Sequence, residues 1–233
     1  MEFAQPLIPA VLIRRYKRFL ADVELTDGTC TTVHCPNTGA MLGCREPGSP
    51  VWLSRSANPK RRYPLTWEMV ETPTGVRVGI NTGLTNRLVE EAIGNGRLAE
   101  LAGYANLRRE VGYGSGSRVD FLLEGSLGSC HLEVKNVTAA VDSGLALFPD
   151  AVSARATRHL QELMAVVAAG GRGVLCFCVQ RADATAVAPY DKLDPLYGHT
   201  LRQAVERGVE VLACGASVSP QAITVDRRLA VLL

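Results

Sequence analysis

Asp120, Glu133 and Lys135 are the residues whose types and spacing most clearly suit chemistry. Asp120 stands at the front of an apolar stretch, Ser117-Arg118-Val119-Asp120-Phe121-Leu122-Leu123. The next apolar stretch, Cys130-His131-Leu132-Glu133-Val134-Lys135, carries a Glu-x-Lys pair. Side chains alternate along a strand, so Glu133 and Lys135 share a face. Neighbouring antiparallel strands can set Asp120 beside Glu133. Two carboxylates a few ångströms apart repel, and one protonates unless a divalent cation lies between them. Magnesium takes one or two carboxylates, keeps several waters and completes its shell with a phosphate. A lysine alongside can orient or deprotonate an attacking water. The set meets the requirements of metal-assisted phosphodiester hydrolysis, with Mg2+ or Mn2+ held by Asp120 and Glu133. Glu90 and Glu91 are candidates for a further acid, and Gln180 ends a later apolar run that could reach the same edge. Arg118 should share the face of Asp120, either pairing with it or holding a phosphate. The plain alternative for a Glu-x-Lys pair is an exposed, ion-paired strand face.

These residues need strands to present them and helices to bury the strands. Thr85–Ile93 has helical spacing, with Thr85 a candidate N-cap. A short helical stretch follows at Arg97–Leu101. Strands are expected at Arg108–Tyr113, Arg118–Glu124 and Cys130–Val137, with turns at 114–117 and 125–129. The strongest helix runs from about Asp150 to Ala169 and stops at Gly170-Gly171. Gly173–Gln180 and Val209–Ala213 read as buried strands, and Pro195–Gly208 as a helix between them. The first 83 residues differ. Short strands at Val11–Arg14, Phe19–Leu25, Thr31–His34, Pro50–Leu53, Thr66–Thr72 and Val76–Ile80 alternate with Gly- and Pro-rich turns. That pattern suits a small closed barrel, and a five-stranded barrel of the oligonucleotide-binding kind fits the length. The fold expected is α+β in two domains: a barrel over 1–83 and an α/β domain over 84–233.

Composition narrows the function classes. The chain has 233 residues, 47% hydrophobic and 21% charged, as in an ordinary soluble domain pair and unlike a disordered chain. No apolar run approaches the roughly 20 residues of a membrane-spanning helix. Met1–Pro6 lacks a secretory signal pattern, so the cytoplasm is the expected location and no membrane partner is expected. Seven cysteines cannot all pair within one chain, and none shows C-x-x-C spacing, so free buried thiols are expected. His34-Cys35 with Cys44 is a weak metal pattern lacking a fourth ligand. Net charge is +2, but residues 1–62 carry nine Lys and Arg against five acids. A basic front half points to an anionic partner.

Several stretches together resemble the sugar fermentation stimulation protein A family: Arg14-Arg15-Tyr16-Lys17-Arg18-Phe19-Leu20-Ala21-Asp22-Val23, His34-Cys35-Pro36-Asn37-Thr38-Gly39, Asn58-Pro59-Lys60-Arg61-Arg62-Tyr63, Ser117 to Leu123, Glu133-Val134-Lys135-Asn136-Val137-Thr138 and Phe148-Pro149-Asp150-Ala151-Val152. The resemblance spans nearly the whole chain. It implies an N-terminal OB-fold-like barrel, a C-terminal domain resembling PD-(D/E)xK nucleases, DNA as partner, and a regulatory link to sugar use. The nuclease-like motif maps onto Asp120, Glu133 and Lys135, with Glu91 as the helix acid that anchors a water on the metal. One departure stands out: where the family's long helix often has Gly-Gln-Lys-His, this chain has Ala156-Thr157-Arg158-His159. Any role of the Gly-Gln pair therefore does not carry over.

With that resemblance the basic clusters become candidate DNA contacts: Arg14, Arg15, Lys17 and Arg18 around Tyr16, then Lys60, Arg61 and Arg62 before Tyr63, together with Arg118. Cations meet phosphates and rings stack on bases; Phe19 is expected in the core. The leading expectation is a largely sequence-nonspecific DNA-binding protein with a divalent-metal site. The alternatives are an active Mg-dependent nuclease and a sugar-responsive sensor, for which the sequence shows no pocket. The sequence leaves the oligomeric state open.

Overall fold

The computed structural model describes residues 1–233 except 115, 127, 142 and 143; the turns expected at 114–117 and 125–129 fall partly on these and to that extent lie outside the described residues.

Alternation builds the first half. In β1 (Ile8–Tyr16), Ala10 and Leu12 turn inward and are buried, while Val11 and Ile13 face out. β1 pairs with β2 (Leu20–Leu25) on one side and β4 (Pro50–Arg55) on the other. β2 continues to β3 (Cys30–His34), and β4 to β5 (Leu65–Glu71). A parallel contact between His34 and Thr66 joins β3 to β5 and closes a five-stranded barrel. β6 (Arg77–Gly79) hangs on β5 outside the closure. The barrel is filled by Leu12, Val23, Val33, Val51, Leu53 and Trp67, with the Trp67 indole N–H donating to the Met69 carbonyl at 2.9 Å. That bond removes the cost of burying the one polar atom of the ring.

The β1–β2 hairpin turns through Lys17 and Arg18, both left-handed, at φ 49° and 64°. Two positive-φ residues match the twist of a tight hairpin, but without glycine they carry strain. Side chains hold the turn. One Nη2 of Arg15 donates to the carbonyls of Arg18, Asn37 and Gly39, and the Arg18 guanidinium donates twice to the Thr38 carbonyl.

The second half is a six-stranded sheet between helical layers. After a 3-10 turn at Thr82–Leu84, α1 (Thr85–Gly94) leads to β7 (Asn106–Tyr113), β8 (Ser117–Gly125) and β9 (Gly128–Val137). The chain continues through β10 (Ala140–Val141), β11 (Leu145–Phe148), α2 (Ala154–Ala168), β12 (Arg172–Val179), β13 (Ala186–Pro189), α3 (Pro195–Glu206), β14 (Glu210–Val218), β15 (Ile223–Arg228) and β16 (Ala230–Val231). The main sheet has the order β15-β14-β12-β9-β8-β7, with β12 parallel to both neighbours. β12 is apolar on both faces: Val174, Cys176 and Cys178 join the core under α1, whereas Leu175, Phe177 and Val179 join the core under α2 and α3. β10, β11, β13 and β16 make a smaller second sheet. The first residues also lie on this half, where the Phe3 N–H donates to the Gln221 carbonyl.

Two helix starts differ from expectation. Asn81, not Thr85, caps the helical entry: its side chain accepts the Gly83 N–H at 2.9 Å, and Thr85 donates its hydroxyl to Asn136 instead. α2 begins after Ser153 rather than at Asp150, because the Asp150 carboxylate is occupied by the Met41 N–H and Ser153 supplies the cap. All seven cysteines are free, and only Cys30 is exposed. Among the described residues no helix is long and apolar enough to cross a membrane.

Candidate metal centre and nucleic-acid face

Asp120 and Glu133 meet where the β8–β9 ladder ends. Its last pair on this side is Phe121 with Leu132, and extending that register would set Asp120 opposite Glu133. The Asp120 side chain takes over there, its Oδ2 accepting the Val134 N–H at 2.7 Å. Its Oδ1 accepts from the Asn86 side chain of α1 at 2.8 Å. Beside it, β7 is kinked: Glu110, between the residues paired with Phe121 and Val119, has φ 53°. Irregular strands of this kind are a recurring way of aiming a side chain.

Glu133 is 2% exposed. Its Oε1 accepts from Lys135 Nζ at 2.6 Å and from Nδ1 of His159, which projects from α2. Arg155, one turn earlier, donates to His159 Nε2 at 3.3 Å, which fits a proton on Nδ1. Glu133 Oε2 is buried with no hydrogen-bond partner among the described residues. Burial works against ionised Glu133, but the His159 hydrogen bond and the Lys135 ammonium outweigh it and hold the carboxyl below the ordinary glutamate range. Asp120 goes the other way: burial and then the Glu133 charge raise it, against the pull of the Val134 N–H and Asn86. The two carboxylates thus differ as expected of a close pair.

The structure does not bring Glu91 to this cluster. Its carboxylate accepts from the Met1 amine, which also donates to the Ile223 carbonyl, both at 2.8 Å. Ile223 lies on β15, separated from β8 by three strands, or about 19 Å at ordinary strand spacing. Glu90 pairs with Arg109 on β7. Asn86 is the α1 residue that reaches Asp120, and nothing in the composition marked it. His159 was visible in the sequence as the histidine kept from the family's Gly-Gln-Lys-His stretch, without a role assigned to it. Gln180 reaches the neighbouring corner, donating to Asn136 at 2.6 Å and Thr85 at 3.2 Å.

The basic residues separate into two kinds. Arg15 is committed to the loop carbonyls, and Arg14 pairs with Asp22 at 2.8 Å while lying over the Tyr16 ring. Arg61 donates to His34 Nδ1 at 2.9 Å, and among the described residues His34, Cys35 and Cys44 do not form a group placed to hold a metal ion. Lys17, Lys60, Arg62 and Arg118 are exposed, and so is Arg18 while it donates to the Thr38 carbonyl. Phe19, expected in the core, is 48% exposed at the hairpin tip because the inward position is taken by Leu20. Between the two halves lies a cavity of about 260 Å³, lined in part by Arg18, Asn37, Thr38, Thr82, Asn136 and Asp150.

Comparison with known proteins agrees with this architecture. The family model described as "SfsA N-terminal OB domain" matches residues 13–80, and that described as "Sugar fermentation stimulation protein RE domain" matches residues 83–222. The chain belongs to the sugar fermentation stimulation protein family. A sugar fermentation stimulation protein homolog of Thioalkalivibrio sulfidiphilus is 60% identical over 228 residues, covering 97% of this chain and 96% of the relative. Another, from Geobacter sulfurreducens, is 59% identical over 232 residues, covering 100% and 99%. Among solved structures, SfsA of Pyrococcus furiosus in complex with Ca2+ superposes with a TM-score of 0.90 at 29% identity, covering 100% of this chain and 98% of that one. The family's N-terminal OB domain is thus the closed barrel, and its second domain the six-stranded sheet that carries Asp120 and Glu133.

Proposed function

We propose that this member of the sugar fermentation stimulation family binds DNA with little sequence preference and holds a divalent cation, Mg2+ or Mn2+, at Asp120 and Glu133. The observation that carries the reading is the meeting of these carboxylates at the parted strand ends, with Glu133 Oε2 buried and unpartnered among the described residues. The donor set fits a hard cation, which takes oxygen ligands and tolerates a site with only two carboxylates. A bound cation would polarise a phosphate and supply an acidic water. Asp120 is oriented by Asn86 and Val134, and Glu133 by Lys135 and His159, so each acid is fixed before any ion arrives. SfsA of Pyrococcus furiosus was solved in complex with Ca2+, which supports a divalent-ion site in the family. Lys17, Arg18, Lys60, Arg62 and Arg118 would meet phosphates, and Phe19 offers an exposed ring to a base.

A second reading, metal-dependent hydrolysis of DNA, is favoured by one observation: Lys135 Nζ lies within hydrogen-bond reach of the Glu133 carboxylate that would hold the ion. One experiment separates the two. Single-stranded, duplex and branched DNA are incubated with the protein and with Glu133→Ala, in Mg2+, Mn2+ or EDTA. Salt-sensitive binding without products supports the binding reading. Products that require metal and vanish in the variant support hydrolysis. Absence of binding to every DNA overturns both.

A further inference from the structure

A third carboxylate, Glu162, is buried on α2. Glu162 follows His159 by three residues, so the two share a helix face, and His159 contacts Glu133. Glu162 is 8% exposed, and both its carboxylate oxygens are buried without a hydrogen-bond partner among the described residues. An ionised carboxylate in that state pays its full desolvation cost. Glu133 Oε2 and the Tyr113 hydroxyl are unpartnered in the same way. Tyr113 precedes Gly114, which packs against Glu162, and its hydroxyl is pushed well above its ordinary range by burial, then by the charges of Glu133, Glu162 and Asp120 and by its approach to Glu162. The wall around Glu162 is closely built. A Cβ on Gly114, where φ is +56°, would lie 3.1 Å from Glu162 Cγ and 3.2 Å from its Cδ.

No group of three or more His, Cys, Asp or Glu among the described residues is placed to ligate one ion directly. Glu162 is therefore not a direct ligand in a shared set. Magnesium and manganese keep several waters, and a carboxylate at the next distance out accepts from those waters.

We propose that Glu162 is a positioning residue of the cation centre, holding a water of the ion that Asp120 and Glu133 ligate, with the Tyr113 hydroxyl beside it. The inference rests on the reading of Asp120 and Glu133 as a cation site. It assigns to α2 the water-anchoring role expected from the sequence for Glu91 on α1. It also gives a role to an acid that is buried on α2 with no hydrogen-bond partner among the described residues.

The test uses the full chain, with Mn2+ as probe. Free Mn2+ is followed by electron paramagnetic resonance for the wild type, Glu162→Gln, Glu162→Asp and Asp120→Asn, and each is melted in EDTA and in Mn2+. Glu162→Gln should bind Mn2+ at least about tenfold more weakly, as expected when a group that orients ligands or waters is removed. It should melt in EDTA no lower than the wild type, because an unpaired buried charge has gone, and should gain less from Mn2+. Glu162→Asp keeps the charge but shortens the reach, so it too should lose affinity, which a purely long-range charge effect would not produce. Affinities of both Glu162 variants within about twofold of the wild type, with binding lost in Asp120→Asn, would overturn the inference and leave the cation site standing. A wild type that binds no Mn2+ would overturn both.

Discussion

The carboxylate of Asp120 accepts the backbone N–H of Val134 at 2.7 Å, standing in for the strand partner that β8 no longer supplies. A side chain that replaces a ladder bond is fixed in direction, and here it is fixed beside Glu133. The candidate centre is thus built into the frame of the sheet, and a helix braces each side: Asn86 from α1 and His159 from α2. The consequences can be measured element by element.

The two cations that flank Tyr16, Arg15 and Lys17, should behave differently. Arg15→Ala removes three bonds to the carbonyls of Arg18, Asn37 and Gly39 and should destabilise the protein by about 2 kcal/mol. Lys17→Ala touches none of these. It should leave the urea midpoint unchanged while weakening DNA binding and making its salt dependence shallower.

Phe19→Ala should cost at most about 1 kcal/mol of stability, because about half of the residue is in solvent. If the ring stacks on a base, affinity for single-stranded DNA should fall by about 1–3 kcal/mol. Fluorescence anisotropy with a labelled oligonucleotide reads the loss, and an unchanged affinity would remove Phe19 from the DNA face.

Gly39→Ala tests the junction of the two halves. A Cβ there would lie 2.4 and 2.6 Å from the two Asp150 carboxylate oxygens. Asp150 would have to give way and release the Met41 N–H it now accepts at 2.9 Å. A loss of about 1–3 kcal/mol in urea unfolding is expected, the usual range for overpacking.

Glu68 gives a pH signature. Its carboxylate accepts from Ser54 at 2.5 Å and from Asn81 at 2.7 Å, yet burial outweighs both and raises its pKa above the ordinary 4.5. In the window between 4.5 and that raised value the folded state holds more protons than the unfolded one, so this residue's contribution to stability falls as pH rises. Glu68→Gln can still accept from Asn81 and donate to Ser54. The variant should lack that part of the decline when unfolding is followed between about pH 4 and pH 7.

Much of this was legible in the chain because periodicity reports burial. The six N-terminal strands, the main sheet through β14 and all three helices follow from alternation and helical spacing. The short strands of the second sheet were not, since two to four mostly apolar residues carry no period. Asp120, Glu133 and Lys135 could be paired because their strands are consecutive. Glu91 misled because a helix has several faces and the sequence does not say which meets the sheet edge; the answer depended on where the Met1 amine and β15 lie. Glu162 and Asn86 gave no signal, since their importance comes from packing between elements distant in sequence. Phe19 misled for a local reason: the left-handed Lys17-Arg18 turn brings Leu20, not Phe19, inward.

Whether Asp120 and Glu133 hold a divalent cation is decided by anomalous diffraction from crystals soaked in Mn2+, with Asp120→Asn crystals treated alike. A peak is expected between the Asp120 carboxylate and Glu133 Oε2 in the wild type, and none there in the variant. Well-ordered Asp120 and Glu133 side chains with no peak between them would show that the pair is not a cation site.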